Sequence, residues 1–320
     1  MTKDMTTRPE RLAGGLVGLL VGDALGVPYE FHAPEHLPPA EQIEFTPPLG
    51  FVRAHTGTPP GTWSDDGALA LCLLDSLLAC GRFDADDLGQ RFVRWYENGY
   101  LAVDGRVFDV GVQTTHALVA LRRGVPALDA GSREERALGN GSLMRALPLA
   151  LWHHGSDEQL VADAQAQSCV THGHLRAQVC CALYCLWARR MLEREDGQAD
   201  PWDAAVGTLR ALWNESSPER AELELQIRPG DPAPGSGSGY VVDCLRSVYQ
   251  VVAANASYEA VVKAAILLGH DTDTTACVAG GIAGIRDGLG AIPQRWRDGL
   301  RGQQLLTPLL HKLLAFETSE

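Results

Sequence analysis

Four carboxylates and several hydroxyls are concentrated in two short motifs, Ser64-Asp65-Asp66 and Asp271-Thr272-Asp273-Thr274, about two hundred residues apart in the chain. Almost no basic side chain lies beside either motif to neutralise them. Clusters of hard oxygen donors suit Mg²⁺, Mn²⁺ or Ca²⁺ rather than the softer metals that favour Cys and His. Each motif is followed by a run with helical character, from Gly67 to Leu74 and from Ala276 to Ala283. Ser, Thr and Asp before such a run also make ordinary N-caps, where the helix dipole favours negative charge. A cap requires one oxygen. Both motifs supply more than that, and this favours a metal centre.

The elements that must position these motifs are helices. Apolar residues recur at three-to-four spacing over 9–26, 67–81, 86–97, 109–124, 142–154, 157–168, 174–192, 202–214, 241–254, 258–268 and 274–288. Strand alternation is scarce, and the best candidate, Gln42-Ile43-Glu44-Phe45, is too short to define a sheet. Gly280, Gly281 and Gly284 would weaken an isolated helix, so their presence predicts helices in close approach. The expected fold is all-α, a compact multi-helix bundle forming one domain over residues 1–320, with no linker and no internal repeat. Two Pro- and Gly-rich stretches, 32–63 and 228–239, interrupt the helices, and each leads into a candidate site residue, Ser64 and Tyr240. Long irregular loops inside helical domains are commonly functional.

Hydrophobic residues make up 45% of the chain, enough for a substantial core, and the formal net charge of −13 argues against non-specific binding to nucleic acid. Eight cysteines occur without a CxxC pair, mostly in apolar helical surroundings, and read as buried thiols of a reducing cytoplasm. Arg8 and Arg11 before an apolar stretch have the outline of a signal peptide. Asp23 and Glu30 follow that stretch at once, within a pattern that reads as functional, so a soluble cytoplasmic protein is expected.

Four further clusters carry polar groups. They are Gly22-Asp23-Ala24-Leu25-Gly26 with Glu30, Val107-Phe108-Asp109-Val110-Gly111, Gly139-Asn140-Gly141-Ser142-Leu143-Met144-Arg145, and Thr171-His172-Gly173-His174. Each has a plain reading as a packing helix, a cap or a turn. Together, in this order with the acidic motifs and Ser238-Gly239-Tyr240, they resemble the ADP-ribosylglycohydrolase family over about residues 9–290.

That resemblance implies an all-α fold with two divalent cations, Mg²⁺ or Mn²⁺, at the bottom of a cleft. It makes Ser64, Asp65, Asp66, Asp271, Asp273 and Thr274 the metal ligands. Glu30, Asp66 and Asp109 become the candidate catalytic groups, and Asn140, Gly141, Ser142, His172 and Tyr240 the candidate ADP-ribose contacts. Two departures stand out: Ser64 where Thr is commoner, and Gly67 where Thr is frequent after the acidic pair. The implied reaction is metal-assisted attack of water at the anomeric carbon of the distal ribose, releasing ADP-ribose from a modified protein. Asp109 in its Phe-Asp-x-Gly context points to ADP-ribosyl-arginine, since a carboxylate pairs with a guanidinium through two hydrogen bonds. Serine linkage, another nucleotide N- or O-glycoside, and a non-catalytic ADP-ribose-binding or structural descendant are the alternatives.

Overall fold

Fifteen α-helices and no β-strand make up the described residues, 6–195 and 198–317, of the computed structural model. In chain order the helices are α1 (Arg8–Gly26), α2 (Asp65–Cys80), α3 (Ala85–Asn98), α4 (Val112–Arg122), α5 (Ala127–Ala130), α6 (Leu147–Trp152), α7 (Asp157–Cys169) and α8 (Leu175–Leu192). They continue as α9 (Pro201–Leu212), α10 (Pro218–Ala221), α11 (Val241–Ala254), α12 (Tyr258–Ile266), α13 (Thr272–Asp287), α14 (Gln294–Gly299) and α15 (Gln303–Glu317).

The composition of α1 explains where it lies. Thr7 and Glu10 form a reciprocal capping box at its start, and every residue from Leu12 to Gly26 is buried. Among the described residues only Arg8–Tyr29 is long and apolar enough to cross a membrane, and its apolar window lies wholly inside the protein. Its partner is α13, which runs antiparallel against a stripe of small residues. A Cβ on Gly14 would lie 2.2 Å from the Gly284 carbonyl oxygen, on Gly18 2.5 Å from that of Gly280, and on Gly22 2.1 Å from that of Ala276. The backbones therefore meet where any side chain would collide. At the end of the stripe a Cβ on Gly26 would lie 2.4 Å from the Asp273 Cα, so this seam brings the second acidic motif to the end of α1. One continuous core surrounds the pair, drawing on α2, α6, α8, α11 and α12.

Three local expectations are corrected. Residues 42–45 form no strand, because Ala40–Gln42 is a 3₁₀ turn and the Tyr29 hydroxyl contacts the backbone of Glu44; the isolated bridges Ser132–His172 and Gly139–Tyr240 are the only β pairing described. The helix expected over 109–124 begins at Val112, since Asp109 takes a left-handed φ of 59° and Gly111 is the N-cap. The helix expected over 142–154 is confined to Leu147–Trp152, because residues 141–145 are turns. Beyond residue 290, α14 and α15 add helices whose apolar spacing, Leu306, Leu309 and Leu313, was passed over; Pro308 within α15 obscures it. All eight cysteines are free thiols.

Candidate active site

Both acidic motifs occupy helix N-termini that face one another. The start of α2 is gripped from outside by Asp23 of α1, whose carboxylate accepts hydrogen bonds from the backbone N–H of Ser64 (2.9 Å) and Gly67 (2.7 Å). Ser64 is the N-cap, accepting from the Asp66 N–H at 3.3 Å and donating its hydroxyl to Asp66 Oδ2 at 3.2 Å. Gly67 follows from the same grip: a Cβ there would lie 2.6 Å from Leu20 Cδ2 and 2.9 Å from Asp23 Oδ2. The start of α13 is stitched to two loops. Asp271 N–H donates to the Gly237 carbonyl (3.0 Å), Phe31 N–H to the His270 carbonyl (2.7 Å), and His270 N–H to the His32 carbonyl (2.7 Å). Asp271 stands at the N-cap position of α13, yet its side chain caps nothing. Its Oδ2 accepts from Asn140 Nδ2 at 2.8 Å instead.

These contacts decide against caps as the sole role of the carboxylates. Asp66 Oδ1 and Asp273 Oδ2 are buried with no hydrogen-bond partner, and a buried carboxylate oxygen without a donor is costly. Oxygens of Glu30, Asp271 and Asp273 lie within 4.8 Å of one another, and an oxygen each of Glu30 and Asp109 lies equally close to a His55 ring nitrogen. Burial, reinforced by Asp109, Asp271, Asp66 and Asp23, pushes Glu30 up to about 10. Burial and Asp271 raise Asp109 to about 6. Burial raises Asp23 to about 7 against its hydrogen bonds to Ser64 and Gly67. Asp65, Asp66 and Asp273 stand well above the carboxylate range, through burial first and mutual repulsion second. Positive charge is what such a cluster lacks, and hard divalent cations fit its all-oxygen donor set.

The cluster floors a cleft of 720 Å³. Of the residues singled out in the sequence, Glu30, Asp65, Asp66, Asp109, Asn140, Gly141, His172, Asp271 and Thr274 line it. Ser64 and Asp273 are buried at the two helix starts. Ser142 and Tyr240 are not among the residues that line the cleft. The Ser142 hydroxyl is fully buried and accepts from the Ser168 hydroxyl at 2.8 Å, behind the turn. The Tyr240 hydroxyl accepts from Arg176 at 3.3 Å, its half-buried ring packs against the core, and its backbone pairs with Gly139.

His172 is held by a buried chain of contacts. The buried Arg145 guanidinium donates to the Thr171 hydroxyl at 2.7 Å, and that hydroxyl lies 2.7 Å from His172 Nδ1. His172 Nε2 lies beside Gly139 and Gly141. Burial and Arg145 lower His172 to about 3, so the ring is neutral. Sequence reasoning missed His55, which shares a 2.6 Å hydrogen bond with Glu30 and lies 3.8 Å from Asp109. It also missed Gln113, which accepts from the Gly139 N–H at 3.1 Å. The signal for His55 was only its place within the irregular 32–63 stretch.

The profile of the ADP-ribosylglycohydrolase family matches residues 4–319. The chain belongs to this family. The match extends beyond the 9–290 span of the motifs to include α14 and α15. The chain is therefore a family enzyme, a hydrolase of ADP-ribosyl glycosidic bonds. It is similar to an ADP-ribosylarginine hydrolase of Serratia proteamaculans, at 29% identity over 97% of this chain and 81% of the relative. It resembles one of Pseudomonas putida at 30% over 95% and 78%. The ADP-ribosyl-[dinitrogen reductase] glycohydrolase of Rhodospirillum rubrum is 28% identical over 91% and 90%. A solved structure described as an ADP-ribosylglycohydrolase-related protein complex superposes with a TM-score of 0.75 at 30% identity, covering 97% of this chain and 98% of that one.

Proposed function

We propose that this enzyme is a metal-dependent hydrolase that removes ADP-ribose from arginine side chains of modified proteins. The observation that carries the reading is Asp109, a carboxylate held in the cleft on left-handed backbone beside Glu30. The similarity to two ADP-ribosylarginine hydrolases supports it.

Asp65, Asp66, Asp271 and Asp273, with the hydroxyls of Ser64 and Thr274, would hold two divalent cations, Mg²⁺ or Mn²⁺. Such ions supply positive charge for vicinal ribose hydroxyls and lower the pKa of water. Around them the chain's own groups have distinct tasks. Glu30, kept oriented by His55, would be ionised once cations offset the neighbouring carboxylates, and then accepts the proton of the attacking water. Asp109 pairs with the N–H edge of the arginine. With a pKa near 6 it reaches both protonation states near neutrality and returns a proton to the departing nitrogen. Water oxygen bonds to the anomeric carbon as the carbon–nitrogen bond breaks, and arginine and ADP-ribose leave. The Gly139–Gly141 turn and neutral His172 line the cleft where the pyrophosphate would lie. A reducing cytoplasm fits the same reading, since all eight cysteines are free thiols.

Incubation with arginine-linked and serine-linked ADP-ribosyl peptides, with and without Mg²⁺, tests this. Release of ADP-ribose from the arginine peptide alone, dependent on metal, is expected, and Asp109→Asn is expected to lower kcat by about 10²- to 10⁴-fold while ADP-ribose still binds. Exclusive cleavage of the serine peptide would overturn the arginine assignment.

A further inference from the structure

Most large hydrophobic side chains of this protein are buried, but Phe31, at the mouth of the cleft and next to Glu30, is 70% exposed. Its backbone is equally out of the ordinary. A φ of 65° is a strained conformation for a bulky residue. It is held by the hydrogen bond from Phe31 N–H to the His270 carbonyl and by the return bond from His270 N–H to His32, and His270 itself has a φ of 60°. The chain thus keeps two neighbouring residues in left-handed backbone and leaves an apolar ring in solvent. An exposed ring gains nothing from burial, so the side chain itself does nothing to offset the strain that these hydrogen bonds hold.

The surroundings name the chemistry the ring would meet. Its centroid lies 5.7 Å from the His55 ring. His55 in turn touches Glu30 and lies 3.8 Å from Asp109. The entrance therefore pairs an aromatic face with a carboxylate. A planar, delocalised cation uses both at once, stacking its face on the ring while its N–H edge pairs with the acid. A serine-linked substrate offers neither surface.

We propose that Phe31 is a specificity-determining residue, whose ring forms the face against which the leaving guanidinium lies while Asp109 holds its edge. The inference rests on the arginine reading above and assigns the residue that discriminates for that linkage.

The test compares Phe31→Leu, which keeps apolar bulk without a π face, with Phe31→Tyr, which keeps the face. Phe31→Gly, which accepts the left-handed backbone freely, controls for folding. Substrates are arginine- and serine-linked ADP-ribosyl peptides, and calorimetry with ADP-ribose reads the nucleotide side separately. Phe31→Leu and Phe31→Gly are expected to lower kcat/KM for the arginine peptide by roughly 3- to 30-fold, the range a cation over an aromatic face supports. Phe31→Tyr should retain wild-type kcat/KM, ADP-ribose affinity should be unchanged in all three, and Phe31→Gly should melt no lower than wild type. Wild-type kinetics in Phe31→Leu would overturn the inference while leaving the arginine reading standing. Parallel loss of ADP-ribose affinity would overturn it in favour of a ring that stacks on the nucleotide base. A wild-type enzyme inactive on the arginine peptide would overturn the underlying reading itself, and the guanidinium assignment with it.

Discussion

Removing divalent metal and raising pH are expected to destabilise this protein together, for one reason: too many carboxylates share the floor of the cleft. In metal-free protein Glu30 has its pKa raised from 4.5 to about 10. A raised folded-state pKa means that the native state holds a proton the unfolded chain has released. Stability is then greatest below the ordinary carboxylate range and falls as pH rises towards the folded value. Between about pH 6.5 and about pH 8.5 Glu30 alone contributes one extra bound proton, worth about 1.4 kcal/mol per pH unit and about 2.7 kcal/mol in all. For 320 residues the unfolding entropy is about 0.7 kcal/mol/K, so chelated protein should lose about 4 °C in Tm over that interval. Saturating Mn²⁺ or Mg²⁺ should remove that slope. At about a thousand times its Kd the metal should add about 4 kcal/mol, or about 6 °C. Asp273→Asn separates the two effects. Without metal it should melt no lower than wild type, because it replaces a buried carboxyl whose oxygen has no partner and whose ionisation its neighbours oppose, and its response to metal should be largely lost. Scanning calorimetry with chelator or Mn²⁺ at both pH values measures all of this, and the metal-minus-chelator difference cancels the histidines. A chelated protein whose Tm is flat or rises over the interval, or an Asp273→Asn variant with a full metal response, would refute the reasoning.

Other contacts make narrower predictions. Asn140→Ala frees Asp271 from its 2.8 Å hydrogen bond and should weaken Mn²⁺ binding by about 10- to 100-fold, read by calorimetry; unchanged affinity would show that Asp271 needs no support. Gly67→Ala places a Cβ against Leu20 and Asp23 and should cost about 1–3 kcal/mol, seen in urea denaturation, although helix propensity alone favours alanine. His172 has its pKa lowered from 6.5 to about 3, so the unfolded chain binds its proton first. The stability contribution of the neutral ring is full above about pH 6.5 and is lost as pH falls towards about 3, by about 1.4 kcal/mol per unit. His172→Gln should flatten that acid slope in urea midpoints, and an unaltered slope would contradict the assignment.

The legible parts of this protein were those in which neighbours in sequence do the work. Capping residues, apolar spacing and the two acidic motifs are local signals, and they located most helices and most of the cleft floor. What escaped was set by partners far along the chain. Asp109 reads as a possible cap, but its left-handed backbone detaches it from α4. Ser142 lies within a promising turn, yet its hydroxyl is claimed by Ser168 from α7. Tyr240 sits at the end of a candidate loop, and Arg176 from α8 takes its hydroxyl. His55 reaches Glu30 across 25 residues of irregular chain, a closeness no periodicity encodes. Gly67 looked like an altered ligand neighbourhood and proves to be a steric requirement of the Asp23 grip.

The seam between α1 and α13 also governs when the protein can assemble. Its two sides are separated by about 250 residues, so a long, wholly buried apolar helix is made well before its matching surface. At roughly 5–20 residues per second of synthesis, α1 waits on the order of ten seconds or longer before residues 272–287 emerge. During that wait its closely packing glycines have no counterpart, its stretch apolar enough for a membrane is uncovered, and Glu30 has none of its α13 neighbours. The same separation delays assembly of the complete acidic cluster until α13 has been made.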